Sequence, residues 1–238
     1  MKLTSEQLKQ YDQILSRGLC SGQGDRDGQM CIEAAICTVL GLPHGDDPGC
    51  VSDAVRAYKI CLNDSQWSSA AARAAGLRDL GLAQLGSRGV CHDARFSIRL
   101  TELTIRELLP SILRSLPTAT PQTLAAAERC EVEGTQSAAS AANAAAYAAY
   151  AAAYADRAAR AAYAAADAAA YAANAARCAA YAATNASAYA ANVAADAANA
   201  ANAGGAGGGV GDRFLLQSAA LALRVLRELG SPGIELLS

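Results

Sequence analysis

Apolar positions in the first 116 residues recur every three or four residues, the spacing of one helix face. Thr4 followed by Gln7 makes a capping-box start, and Leu8, Tyr11, Ile14 and Leu15 predict a first helix ending at Arg17 or Gly18. A loop from Leu19 to Gly28 holds Gly22, Gly24 and Gly28, after which Asp27 is placed to cap a helix from about Gly28 to Leu40. That segment, with Met30, Ile32, Ala35, Ile36, Val39 and Leu40, is apolar nearly all round and reads as a core helix. Gly41, Pro43, Gly45, Pro48 and Gly49 then force turns. Ser52 caps a helix carrying Val55, Tyr58, Ile60 and Leu62, which Asn63-Asp64-Ser65 closes; a further helix runs from about Ser68 to Leu85, with Trp67 anchoring its entry. From Asp93 the positions Ile98, Leu100, Leu103, Ile105, Leu108 and Leu109 keep a helical period, and Pro110 kinks the helix or begins a separate turn. Residues 1–116 thus predict a compact head of five or six helices.

The pattern changes beyond Thr120 and Pro121, a cap and first-turn pair. No proline follows until Pro232, and the only glycine before Gly204 is Gly134. Between Ser137 and Ala203, 42 of 67 residues are alanine, the best helix former, so a continuous helix over 121–203 is expected. At about 1.5 Å per residue its alanine-rich part would be about 100 Å long. The other residues recur at a near 3.5-residue period, as in a coiled coil, but tyrosine and polar residues form the stripe and alanine the rest. The stripe changes face between Asp156 and Arg160. Glycines over 204–211 predict a turn, and Asp212 is placed to cap a return helix to about Leu229, stopped by Gly230 and Pro232, within a final segment 212–238. The polar residues of that helix form a narrow strip, so it must pack on the alanine helix or on the head. The fold class is all-α: a helical-bundle head, a very long alanine-rich helix and a short return helix.

Composition sharpens this division. The chain is 53% hydrophobic, but much of that is alanine, which buries little area, and burial energy scales with area. A large-residue core must therefore come from residues 1–116 and 213–238. A net charge of -2 with no obviously basic face argues against a nucleic-acid partner. Asp156, Arg157, Arg160, Asp167, Arg177 and Asp196 interrupt the apolar tail, and Met1–Leu19 lacks the apolar core of a signal peptide, so no membrane association and a cytoplasmic location are expected. The eight cysteines form no CxxC pair or zinc spacing and read as buried free thiols.

Two functional readings arise. Alanine faces allow close helix approach but need a partner to exclude water, and seven of the nine tyrosines, Tyr147, Tyr150, Tyr154, Tyr163, Tyr171, Tyr181 and Tyr189, lie in this segment. Tyrosine brings area and a hydroxyl at modest entropic cost. The first reading is a structural or protein-interaction module, a homo-oligomer that self-associates along this helix. The second is a small ligand-binding or hydrolytic enzyme built on loops of the head. Gly24, Arg26, Asp27 and Gly28 belong to a glycine-rich loop feeding a helix start, where backbone amides can bind an anionic ligand. The loop lacks the lysine and hydroxyl of a P-loop and the strand of a dinucleotide fold. Its likeness to a calcium loop fails because Ala34 stands at the position of the bidentate acid, with Glu33 one place early. No cofactor or metal is expected. In the second loop His44, Asp46 and Asp47 could make an acid/base or metal site. Glu33, mid-helix in this reading, is a buried acid with a perturbed pKa or one reaching a surface gap. A helix over 28–40 would be about 18 Å long and would hold the two loops apart unless the second folds back. The simpler account of all these residues is that they are caps and turn formers.

The run Arg26-Asp27-Gly28-Gln29-Met30-Cys31-Ile32-Glu33-Ala34-Ala35, with Leu42-Pro43-His44-Gly45-Asp46-Asp47-Pro48, Leu62-Asn63-Asp64-Ser65 and Trp67-Ser68-Ser69, resembles an uncharacterised family of bacterial and phage proteins with Ala/Tyr-rich tails. The resemblance covers most of the chain. It implies no activity and carries over no catalytic residue.

Overall fold

The computed structural model describes residues 3–116, 119–155 and 208–237, and every regular element among them is helical. Helix α1 (Ser5–Ser16) begins with the expected capping box, Thr4 Oγ1 accepting from Gln7 N at 3.1 Å and Gln7 Oε1 accepting from Thr4 N at 2.9 Å. Helix α2 (Ile32–Val39) is shorter than the apolar pattern suggests. Asp27 does not cap it; Cys31 does, its Sγ accepting from Ala34 N at 3.3 Å. The chain from Gly28 to Cys31 belongs instead to a loop closed by an isolated antiparallel bridge between Gly24 and Met30. Glu33 therefore sits in the first turn of α2 rather than in mid-helix.

Helix α2 is the centre of the head. Ile32, Ala34, Ala35 and Ile36 are fully buried beneath α1, α3 (Asp53–Asp64) and α4 (Ala70–Ala83). Ser52 makes no side-chain cap to α3; Asp93, 41 residues on, does so instead, accepting from Ala54 N at 3.2 Å and from the Ser52 hydroxyl. Trp67 anchors the entry to α4 as its position predicts: it is 6% exposed and donates Nε1–H to Leu62 O at 2.9 Å. Its ring lies over Gly76, where a β-carbon would come within 2.4 Å of it.

Helix α5 (Asp93–Leu103) runs through a π-helical turn, Thr104–Leu108, into α6 (Leu109–Ser115), so the break falls just ahead of Pro110. Phe96, Leu100 and Leu103 face inward, whereas Ile98 points outward at 62% exposure, against the expectation from spacing. Its neighbours' inward face places position 98 on the far side of the helix.

Thr120 and Pro121 open α7 (Pro121–Glu133) as expected, but the helix ends there. Gly134, at φ 61, ends it in the left-handed conformation that glycine adopts without steric cost. Arg106 seals the end, donating to the carbonyls of Glu131, Val132 and Glu133 at 2.8, 2.7 and 2.9 Å. Helix α8 (Gln136–Ala155) then returns along α7, with Ala138, Ala139, Ala142 and Ala146 buried. The helix expected over 121–203 is thus broken at Gly134, and its portion 156–203, with the change of face near Asp156, lies outside the described residues.

The last helix, α9 (Gly208–Glu228), starts before Asp212, so Gly208 to Gly211 are helical rather than part of a turn. Asp212 is spent on the approach to α4, accepting from Ser68 N at 2.8 Å and from the Ser68 hydroxyl, while Ser69 caps α4 itself. Helix α9 packs on α4 and α5, placing the return helix on the head. Phe214, Leu215, Ala222, Val225 and Leu226 are buried there, and Tyr58 donates to Ser218 O at 2.7 Å. A 3₁₀ turn, Pro232–Leu237, closes over α4. The seven described cysteines are free thiols, and burial pushes those of Cys37 and Cys130 up to about 11. Among the described residues no helix is long and apolar enough to cross a membrane.

Candidate functional site

The glycine-rich loop owes its shape to backbone pairing across itself: Cys20 N donates to Met30 O at 3.2 Å, Asp25 N to Gln29 O at 2.9 Å and Cys31 N to Gln23 O at 3.2 Å. Gly24 lets the two sides meet. At φ 71, a β-carbon there would lie 2.3 Å from Gln29 O. The end of α3 clamps this loop to the start of α2. Asn63 Nδ2 donates to Cys20 O at 2.9 Å, Asn63 Oδ1 accepts from Ile32 N at 3.2 Å, and Asp64 Oδ1 accepts from Gly22 N at 2.8 Å.

The second loop folds back onto the first. With only eight residues α2 is about 12 Å long, and His44 reaches across, Nε2–H donating to Gly24 O at 3.3 Å. Arg56 on α3 fixes the rest of the turn, donating to Asp46 O at 2.6 Å and to Asp46 Oδ1 at 2.7 Å. The Arg56 guanidinium holds the Asp46 carboxyl below its ordinary pKa, with a hydrogen bond from the Gln23 side chain adding to the effect. Between these parts lies a cavity of about 110 Å³ lined by Gly22, Gln23, Cys31, Ile32, Glu33, Asp46, Ile60, Asn63 and Asp64. Exposed Gly22, Gln23 and Asp64 form its mouth, and buried Cys31, Ile32, Glu33 and Asn63 its floor.

The floor carries charge out of contact with water. Glu33 Oε1 lies 3.0 Å from Lys59 Nζ, with side chains 1% and 0% exposed, and Glu33 Oε2 accepts from Gln84 Nε2 at 2.9 Å. An ion stripped of water costs several kcal/mol, which an opposed charge offsets only in close contact. Here the lysine is close but off the line of a hydrogen bond: neither Glu33 Oε1 nor Lys59 Nζ has a hydrogen-bond partner, and Gln84 Oε1 has none. Burial lowers the Lys59 pKa from the usual lysine value, against the pull of Glu33.

Of the residues the sequence singles out, Glu33 and Asp46 line the cavity, and His44 meets Gly24 across the two loops. Arg26 and Asp27 are exposed at the loop tip, where Asp27 N donates to Asp25 Oδ1 at 3.0 Å. Gly28 starts no helix and turns the chain, donating to Asp25 O at 3.2 Å. Asp47 is exposed and accepts from Gly49 N at 2.9 Å, a turn-forming bond. Tyr147, Tyr150 and Tyr154 fall within α8, their side chains outside the description, and Tyr163, Tyr171, Tyr181 and Tyr189 lie outside the described residues. Sequence reasoning missed Lys59, Asn63, Asp64 and Gln84. Lys59 left one trace: it follows Tyr58 and stands three residues before Leu62, a cation on the face that carries the helix into the core.

Chemically, the arrangement accepts hydrogen bonds rather than attacks. Burial raises the Cys31 thiol's pKa, and its sulfur is engaged in capping α2. His44 is aimed at a carbonyl, not at a hydroxyl or thiol. Among the described residues no group of three His, Cys, Asp or Glu side chains could hold a metal ion. The chain matches no protein-family model, no curated protein and no solved structure.

Proposed function

We propose that the head is a binding module that takes a small polar ligand into the cavity over Glu33. The observation that carries this is the meeting of two loops and the ends of α2 and α3 around one opening whose floor is a buried, incompletely hydrogen-bonded carboxylate. Drug-sized ligands occupy pockets of several hundred Å³, so a cavity of about 110 Å³ fits a molecule of a few heavy atoms. Binding is favoured over hydrolysis because no nucleophile and base face each other at this opening. The test is a nuclear magnetic resonance screen of small polar solutes against the full chain. Saturable shifts confined to Gly22, Gln23, Ile32 and Asn63 are expected; shifts that grow linearly and spread over the surface with every solute would sink the proposal.

A second reading, self-association through the alanine-rich segment, has its own support. Along the outer side of the α7–α8 pair runs an open groove of about 450 Å³ lined by Ala125, Ala126, Ala141, Ala144, Ala145 and Ala148, with Gln122 and Arg129 at its edges. Several of these alanines are exposed, and alanine faces admit a close helical neighbour. Light scattering should then report a mass above that of one chain at high micromolar concentration, and a monomer there removes the reading.

A further inference from the structure

We infer that Gly134 is a hinge at which the α7–α8 hairpin opens into one helix, and that the face so uncovered on α8 pairs with α7 of a second copy of this chain. The inference is independent of the cavity and uses the inner side of the α7–α8 pair, not its outer groove. It starts from how little holds α8. Among the described residues, α8 packs extensively against α7 alone. The buried side chains described on α8 are all alanine, so each removes little apolar area from water.

The turn is close to neutral in hydrogen bonds between its two states. Helix α7 ends because Gly134 takes φ 61 and Arg106 donates to the carbonyls of Glu131, Val132 and Glu133. Gly134 N still donates to Cys130 O at 3.0 Å, the bond of an uninterrupted helix. Continuing that ladder would bring the amides of Thr135, Gln136 and Ser137 onto the same three carbonyls. Opening therefore trades three bonds from Arg106 for three from the backbone, and glycine takes either conformation without steric cost. Arg106, once released, keeps Glu102 as its partner at 3.1 Å. What opening loses is the cap from Thr135 Oγ1 to Ala138 N and the packing of α8 on α7. A second copy restores the packing: the two faces are complementary because they already meet within one chain, and a two-fold exchange makes that contact twice. Glu131 and Val132 are exposed, so a helix running on past Gly134 leaves the surface of the head. Residues 156–207 join α8 to α9, a reach of up to about 170 Å when extended, so α8 can depart with α9 in place.

The experiment is sedimentation equilibrium of the full chain over the micromolar range, in the parent and in hinge variants. Gly134→Ala favours the open form: alanine is disfavoured at positive φ and is the better helix former, and its β-carbon would come within 2.4 Å of Arg106 Nε. It should tighten dimerisation more than about tenfold. Gln136→Pro acts oppositely. Position 136 is the first of α8, where proline is accommodated, whereas inside one continuous helix its ring would meet Val132 O. It should hold the chain monomeric, alone and combined with Gly134→Ala. In dimers mixed from isotope-labelled and unlabelled chains, filtered nuclear Overhauser spectra should show alanine methyls of α7 and α8 in contact between chains. A Gly134→Ala chain that melts cooperatively and stays monomeric overturns the inference. So does a dimer whose α7–α8 contacts remain within one chain, or one that persists in Gln136→Pro and so belongs to the outer groove. Should Gly134→Ala not fold, Arg106→Leu, which strips the donors from the α7 carbonyls, takes its place under the same criteria.

Discussion

The floor of the head cavity and the α7–α8 pair are both closed to water, yet they are closed by opposite means. Beneath the floor, long side chains carry polar ends inward: Glu33, Lys59 and Gln84 meet between α2, α3 and the end of α4, and on α1 Tyr11 sends its hydroxyl to Arg78 O at 2.9 Å. In the α7–α8 pair, burial is done by Ala126, Ala127, Ala138, Ala139, Ala142 and Ala146 with Cys130, side chains of almost no reach. The first region depends on each polar group keeping its partner. The second depends on two backbones staying close, so it tolerates loss of atoms and not their addition.

The sharpest way to break this comparison is to remove one partner at the floor. Lys59→Met should cost about 3–5 kcal/mol, because it leaves the Glu33 carboxylate buried against Gln84 alone. Glu33→Gln strands the ammonium and should cost a similar amount. The two changes together should restore much of the loss, a coupling readable by urea denaturation as a double-mutant cycle. Additive losses would mean that the pair does not set the stability of this region.

A smaller effect is expected from adding volume to the other region. Ala142→Leu, at a fully buried position, should cost about 1–3 kcal/mol by overpacking. The same change at exposed Ala144 should leave the melting temperature nearly unmoved. Equal shifts at both positions would contradict the close packing of α7 on α8.

The smallest effect belongs to the partly exposed charges that tie α9 to α5. Arg99 donates to Glu228 at 2.7 and 3.2 Å and to Glu102 at 2.7 Å, and holds both carboxyls below their ordinary value of 4.5. A folded-state pKa below the unfolded one means the contribution is complete above pH 4.5 and disappears as pH falls through the folded-state values. Denaturation midpoints measured in acid should therefore fall less steeply in Arg99→Ala than in the parent chain. Added salt should shrink the difference, since exposed pairs are weak and screened.

How far the sequence reveals each part follows the range of the forces involved. Thr4 with Gln7 and Thr120 with Pro121 mark helix starts correctly because capping is settled within four residues. Trp67 and the inward face of α9 are equally legible, since large apolar groups have one place to go. Asp27, Ser52 and Asp212 look like caps of their own helices and are not, because Cys31, Asp93 and the needs of Ser68 decide those positions from elsewhere. The candidate site divides in the same way. Gly24, Glu33, His44 and Asp46 stand out as residue types in loops or in an apolar run, while Asn63, Asp64 and Gln84 look like ordinary helix ends.

What the sequence determined by itself is what propensity and periodicity act on directly: helices as the regular elements of the described residues, an alanine-rich segment distinct from a large-residue core, and a glycine at 134 able to end a helix. That Gly134 does end it, that α8 turns back along α7, and that the second loop folds over the first were decided only in three dimensions. So was the partner of Glu33. A buried carboxylate must find an opposite charge wherever the packing brings one, and Lys59, twenty-six residues along the chain and a helix away, becomes that partner only when α2 and α3 pack together.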